Sequence, residues 1–189
     1  DHISARKAIK IMCAPIQHSC ASALMACQQA GIEVGRVDPN RIGTLFGTET
    51  FYADPLEVAD VFHHCTVEKN YQHERWGEFA IRKIQPLWML KYLPNMAASH
   101  VSIMLDARGH SNSICQGDVS SLIALIEAAN VIQRGWCDVM IVGGAGSLCE
   151  LSAMLYRGIH MSTAYNHDPT RASRPFDLRR DGLIPGEGA

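Results

Sequence analysis

Apolar residues along this chain switch between helical and strand spacing, and the order of the two predicts an α/β fold. Ile16, Cys20, Leu24 and Cys27 recur at helical intervals between Pro15, suited to a first helical turn, and Gly31, suited to the position after a helix end. The spacing predicts a helix over 15–30. Arg41-Ile42-Gly43-Thr44-Leu45-Phe46-Gly47-Thr48 is rich in β-forming residues and ends at a glycine, which predicts a buried strand. A helix over 91–103, a turn at Asp106-Ala107-Arg108-Gly109 and a short buried strand through Ser113-Ile114-Cys115 follow. Val119, Leu122, Ile123, Ile126, Ala129, Val131 and Ile132 then keep helical spacing until Gly135, and Cys137 to Val142 is an apolar run of buried-strand type. Strand, tight turn, helix, strand is an arrangement that exposes a reactive residue at a helix N-terminus.

Between these elements, 52–78 is polar, aromatic and histidine-rich without clear periodicity, and reads as a surface insertion with some helix. His63, His64 and Cys65 invite a metal reading. Adjacent residues of a helix face different ways, however, and no second ligand group stands at useful spacing, so no metal is expected.

Composition narrows the function classes. The chain has 189 residues and a net charge of −2, with a pI near 6.5, so it carries no basic field for nucleic acid or an anionic membrane. It has no apolar run of about 18 residues and no secretory leader pattern, and a cytoplasmic location is expected. Seven cysteines without a C-x-x-C pair read as reduced, mostly buried thiols. Gly143-Gly144-Ala145-Gly146 is not a dinucleotide fingerprint, and Ser120-Ser121 do not sit in a G-x-S-x-G elbow.

Four further runs carry a resemblance: Met161-Ser162-Thr163, Ala172-Ser173-Arg174-Pro175-Phe176-Asp177, Arg180-Asp181-Gly182 and Gly186-Glu187-Gly188-Ala189. Their order, with Pro86-Leu87-Trp88, Asn95-Met96-Ala97-Ala98-Ser99-His100 and the stretch from Gly109 to Ala145, resembles the β-ketoacyl-acyl-carrier-protein synthases. The resemblance implies the N-terminal half of a thiolase-like fold over 1–189, a layered α-β-α arrangement on a mixed, mostly parallel sheet. It also implies that the first strand and the C-terminal half of that fold, with its two histidines, lie outside this sequence.

In that family the turn before the helix reads roughly T-A-C-x-S-[SG]. Counting back without a gap from Gly143-Gly144-Ala145 places the nucleophilic cysteine on position 118, which here is Asp118. A thiol at a helix N-terminus is acidified by the helix dipole and attacks an acyl thioester as thiolate. Aspartate there is instead a good helix N-cap, accepting from the N–H of Ser120 or Ser121 for about 1 kcal/mol. It is a poor nucleophile toward thioesters, because the product would be a reactive mixed anhydride. Cys115 stands on the predicted buried strand, three residues from the helix start, and does not replace it. The resemblance implies that the Asp118 N–H still serves as an oxyanion-hole donor, that Trp88 reaches toward the partner subunit's acyl pocket, and that Tyr156 lies near its floor. Plain core packing is an equal expectation for the last two. Further departures at His110, after Gly109, and at Gly146, after Gly-Gly-Ala, point to relaxed chemistry on a kept scaffold. Arg174, Asp177, Arg180 and Asp181 are expected to form a structural ion-pair cluster around a turn.

The resemblance therefore implies fatty-acid or polyketide elongation by decarboxylative Claisen condensation of acyl and malonyl thioesters. The partners are an acyl carrier protein and either a second copy or a cysteine-bearing paralogue. No resident cofactor is expected, since phosphopantetheine arrives on the carrier. With Asp118 in place of cysteine, a silent chain-length-factor-type subunit is expected. The alternatives are an acyltransferase or decarboxylase with an altered site, and a non-enzymatic acyl-binding protein of the same fold.

Overall fold

The computed structural model describes residues 6–33, 35–49, 53–147, 149, 151–157 and 161–189, with the side chains of 6, 7, 151, 156 and 157 outside that description. The chain runs α1 (Arg6–Ile9), α2 (Ala14–Gln29), β1 (Ile42–Thr48), α3 (Leu56–Cys65), β2 (Thr66–Val67), β3 (Asn70–Tyr71), α4 (Trp76–Lys83), α5 (Met96–Leu105), β4 (Ser111–Ile114), α6 (Ser120–Gln133), β5 (Val139–Ser147), α7 (Leu151–Arg157) and β6 (Glu187–Gly188). The main sheet is ordered β4-β1-β5-β6. β1 pairs in parallel with both neighbours, Thr44 facing Ser111 and Ile141, while β6 lies antiparallel to β5. This is the mixed, mostly parallel sheet that the family resemblance implies.

Alternation along β1 sets two helical layers. Ile42 and Phe46 belong to a core with Met12, Ile16, Cys20, Ala23 and Cys27 around α2, and with Ala97, Ala98, Val101 and Leu105 of α5. Thr44 and Thr48 are on the same face, and their hydroxyls are satisfied there: Thr44 by Ser102 and Ser111 at 2.7 and 3.0 Å, Thr48 by donating to the Pro94 carbonyl at 3.2 Å. The opposite face, with Gly43, Leu45 and Gly47, receives α6. Parallel strands covered on both faces are buried throughout, and every residue of β1 is.

Helix α6 is turned differently from its sequence pattern. Its buried positions are Ser120, Ala124, Ala128 and Val131, whereas Leu122 and Ile126 are 62% and 63% exposed. The cause is the sheet beneath it: a Cβ at Gly47 would run into the backbone of Ser120 and Ser121, and one at Gly144 would lie 2.6 Å from Ser121 Cβ. Only small side chains fit a helix seated that closely. The large apolar residues therefore point away from the sheet.

Other boundaries shift for local reasons. The helix expected from Lys91 begins at Met96, because Pro94 interrupts it and Trp88–Tyr92 forms a 3₁₀ turn entered through Leu87 at φ 67°. β5 continues past Val142 through the glycines to Ser147, its backbone paired with β1 as far as Ala145. The segment read as an insertion folds as α3 and α4 around the short β2–β3 hairpin, with Phe62 against Tyr71 and Trp76 at centroid distances of 5.6 and 5.1 Å. There His64 Nδ1 bonds to the Asp60 carbonyl at 2.7 Å and its ring lies against Phe79.

Candidate functional site

The C-terminal ends of β1 and β5 converge on the N-terminus of α6, where open parallel sheets place their ligand crevices. Gly47 and Thr48 from β1, Gly144 from β5, Asp118 and Ser120 from the turn into α6, and Gly188 border an open cleft of about 380 Å³. The turn itself is held by Ser120. Its hydroxyl accepts from the Gln116 N–H and donates to the Gly117 carbonyl, both at 2.7 Å, and its own N–H bonds to that carbonyl at 3.1 Å. Gly117 adopts φ 58°, which glycine takes without steric cost.

Asp118 is exposed on this cleft, one residue before the N-cap position, which is occupied by Val119 without a side-chain cap bond. The expected N-cap thus moves from Asp118 to Val119. The reason is the Ser120 hydroxyl, which closes the turn one residue later than the pattern suggests. The amides of the first turn of α6 have no acceptor within the helix, so this end of the cleft is rich in N–H donors and carries the positive end of the helix dipole. Such a setting suits a developing oxyanion or a thiolate. A carboxylate supplies negative charge there but no sulfur.

Cys115 does not lie in a buried strand. It is exposed just past β4, with Sγ 3.3 Å from Thr48 Oγ1, because β4 is an edge strand that ends at Ile114. Burial instead claims Cys20, Cys27, Cys65 and Cys137, and it pushes the Cys20 thiol up to about 11, an inert packing group.

Trp88 is engaged within its own chain. Its indole N–H donates to Glu57 Oε2 at 2.6 Å, Tyr92 OH donates to the same oxygen at 2.9 Å, and Lys91 Nζ donates to Oε1 at 2.6 Å. Burial raises the Glu57 carboxyl, but the three donors and the Lys91 charge outweigh it and hold the group below its ordinary value. The residues of this clamp were not legible in the sequence, since Glu57 lies 31 positions from Trp88. Beside the clamp, Met12, Asp54, Leu56, Lys91, Tyr92 and Ser152 line a cavity of about 530 Å³. Tyr156 is placed on α7, and its side chain lies outside the described residues.

The expected ion-pair cluster is replaced by separate turn contacts. Asp181 accepts from the Thr163 hydroxyl at 2.5 Å and the Ala164 N–H at 3.2 Å, which keeps its carboxyl below the ordinary range. Arg174 lies over the Tyr165 ring at 4.0 Å, and Arg180 donates to the Asp177 carbonyl at 3.0 Å. Together with the backbone bonds between Thr163, Met161 and Leu183, these join the Met161-Ser162-Thr163 and Arg180-Asp181-Gly182 runs in space. Asp177 accepts the Arg179 N–H at 2.7 Å and pairs with the guanidinium of the same residue at 3.7 Å.

Comparison with known proteins identifies the family of this chain. Residues 2–189 match the family model described as the β-ketoacyl synthase N-terminal domain. The chain is 30% identical over 175 residues to a 3-oxoacyl-[acyl-carrier-protein] synthase 2 of Vibrio cholerae, covering 92% of this chain and 39% of the relative. It is 30% identical over 174 residues to a putative polyketide β-ketoacyl synthase 1 of Streptomyces halstedii, covering 92% and 40%. Among solved structures, a β-ketoacyl synthase from Burkholderia phymatum superposes with a TM-score of 0.77 at 20% identity, covering 97% of this chain and 43% of that one. The ishigamide ketosynthase/chain length factor gives 0.73 at 17% identity, covering 100% and 42%. The chain spans about two fifths of the length of these relatives. With the family model matched over nearly every residue and the ketosynthase fold reproduced, this chain belongs to the β-ketoacyl synthase family through that family's N-terminal domain.

Proposed function

We propose that the whole protein works in fatty-acid or polyketide elongation as a catalytically silent, chain-length-factor-type partner of a cysteine-bearing β-ketoacyl synthase, with acyl and malonyl groups delivered on an acyl carrier protein. The observation that carries this reading is the carboxylate of Asp118 on the cleft at the start of α6, where the family's motif spacing calls for cysteine. A covalent cycle needs a thiolate that attacks the acyl thioester and leaves again in the condensation step. An aspartate would form a mixed anhydride, a reactive species in place of the stable thioester that the cycle holds between its two steps. The matched relatives, named as 3-oxoacyl-acyl-carrier-protein and polyketide β-ketoacyl synthases, support acyl thioesters as the substrate class. A structural neighbour containing a chain length factor supports the partner role.

The first-turn amides of α6 favour a second reading, a decarboxylase of malonyl thioesters that needs an oxyanion hole but no nucleophile. The Asp118 carboxylate argues against it, since a negative group beside a developing enolate raises the barrier. Incubating the full-length protein with acyl- and malonyl-carrier-protein thioesters separates the readings. The silent-partner account expects no β-ketoacyl product and no released acetyl-carrier protein until the cysteine-bearing synthase is added. Condensation by the protein alone would overturn it, and decarboxylation alone would establish the second reading.

A further inference from the structure

Helices α3 and α4 and the β2–β3 hairpin pack on one another rather than on the sheet. Phe62 meets Tyr71 and Trp76, the Arg75 guanidinium lies 5.2 Å over the Phe79 ring, and the His64 ring lies 4.9 Å from Phe79. The core around α2, α5 and β1 takes no described residue from 54–84, buried or partly buried. Among the described residues, the Glu57 side chain makes every hydrogen bond and ion pair that joins 54–84 to the rest of the chain, through Trp88, Lys91 and Tyr92. The seam beside this latch is not filled by packing: Leu56 on one side and Met12 of the core on the other both border a cavity of about 530 Å³. The chain leaves α4 through Pro86 and Leu87, and Leu87 holds φ 67°, a left-handed backbone that a leucine adopts only at a cost. A unit with its own packing, an unfilled seam and a single tie is of the kind that opens separately from the rest of a fold.

We propose that residues 54–84 form a cap that swings away from the sheet as one body, pivoting at 85–87 and held shut by the Glu57 latch. Closing sets three hydrogen bonds and one charge pair on a single carboxylate, so the latch engages or releases as a whole. Opening lets Leu87 leave its left-handed conformation, and that relief offsets part of the cost of breaking the latch. The aromatic packing of Phe62, Tyr71 and Trp76 lies inside the cap and survives the swing. Glu57 is a positioning residue here: it fixes how closely the cap sits on the Trp88–Tyr92 turn. The inference is independent of the acyl-thioester reading.

The test is a pulsed-EPR distance measurement on the full-length protein. p-Acetylphenylalanine replaces the exposed Ile81 on α4 and the exposed Ile103 on α5, and each keto group carries a nitroxide, so the native cysteines stay untouched. The parent protein should give a dominant short distance. Glu57→Ala should raise the ratio of a second, longer distance to the short one about ten-fold, because a charged hydrogen-bonding group is lost from the closed state alone. Trp88→Phe removes one donor, should raise that ratio by less, and keeps the test open should Glu57→Ala fail to fold. A distribution that neither substitution changes overturns the proposal. A smear of distances with no second maximum overturns it as well, since that is local unfolding of α3 and α4 rather than movement of one body.

Discussion

Gly47 of β1 lies so close to the backbone of Ser121 that no side chain fits between strand and helix. This contact seats the N-terminus of α6 on the sheet and so fixes where Asp118 meets the cleft. Gly47→Ala must push the helix away or distort β1, at a cost of about 1–3 kcal/mol by analogy with overpacked cores. Gly146→Ala is the control, because a Cβ there meets nothing within 4 Å. It should stay within about 0.5 kcal/mol of the parent protein. Urea unfolding midpoints of the two variants check the pair.

Glu57 ties α3 to the Trp88–Tyr92 turn through three donors. Its side chain is 30% exposed, so Glu57→Ala should cost about 1–2 kcal/mol, less than a fully buried network would. The folded carboxyl titrates below its ordinary value of 4.5. Its contribution is therefore complete above about that pH and is lost as pH falls through the lower folded value. Stability measured from pH 6 to pH 3 should fall less steeply in Glu57→Gln than in the parent protein.

His100 on α5 is 5% exposed, its Nε2 has no partner among the described residues, and burial lowers its pKa from 6.5. The unfolded chain then binds a proton that the folded chain refuses. Stability is full above the unfolded value and declines as pH drops below about 6.5 toward the folded one. His100→Gln should flatten the stability profile between pH 7 and pH 5. An unchanged slope there would assign the decline to other groups.

The sequence revealed what local spacing controls and missed what the sheet controls. α2 is found within a residue of its predicted span because Pro15, the Ile16–Cys20–Cys27 stripe and Gly31 all act within the helix. The face of α6 was not legible in this way. Leu122 and Ile126 make the stronger apolar stripe, but Gly47 and Gly144, distant in sequence, admit only Ser120, Ala124 and Ala128. Motif resemblance singled out Asp118, which borders the cleft, whereas the identity of the N-cap depended on the Ser120 hydroxyl. The Glu57 clamp and its cavity arise from three-dimensional meeting of α3, α7 and a 3₁₀ turn, which no local pattern encodes.

The central claim is that the family scaffold is kept at the start of α6 while Asp118 removes the nucleophile. Intact-protein mass spectrometry of the full-length protein and its Asp118→Cys variant, each incubated with an acyl-carrier-protein thioester, tests it most directly. The account predicts no acyl adduct on the parent protein and one acyl group, mapped to position 118, on the variant. An adduct on the parent protein, or a variant that stays unmodified while folded, would contradict it.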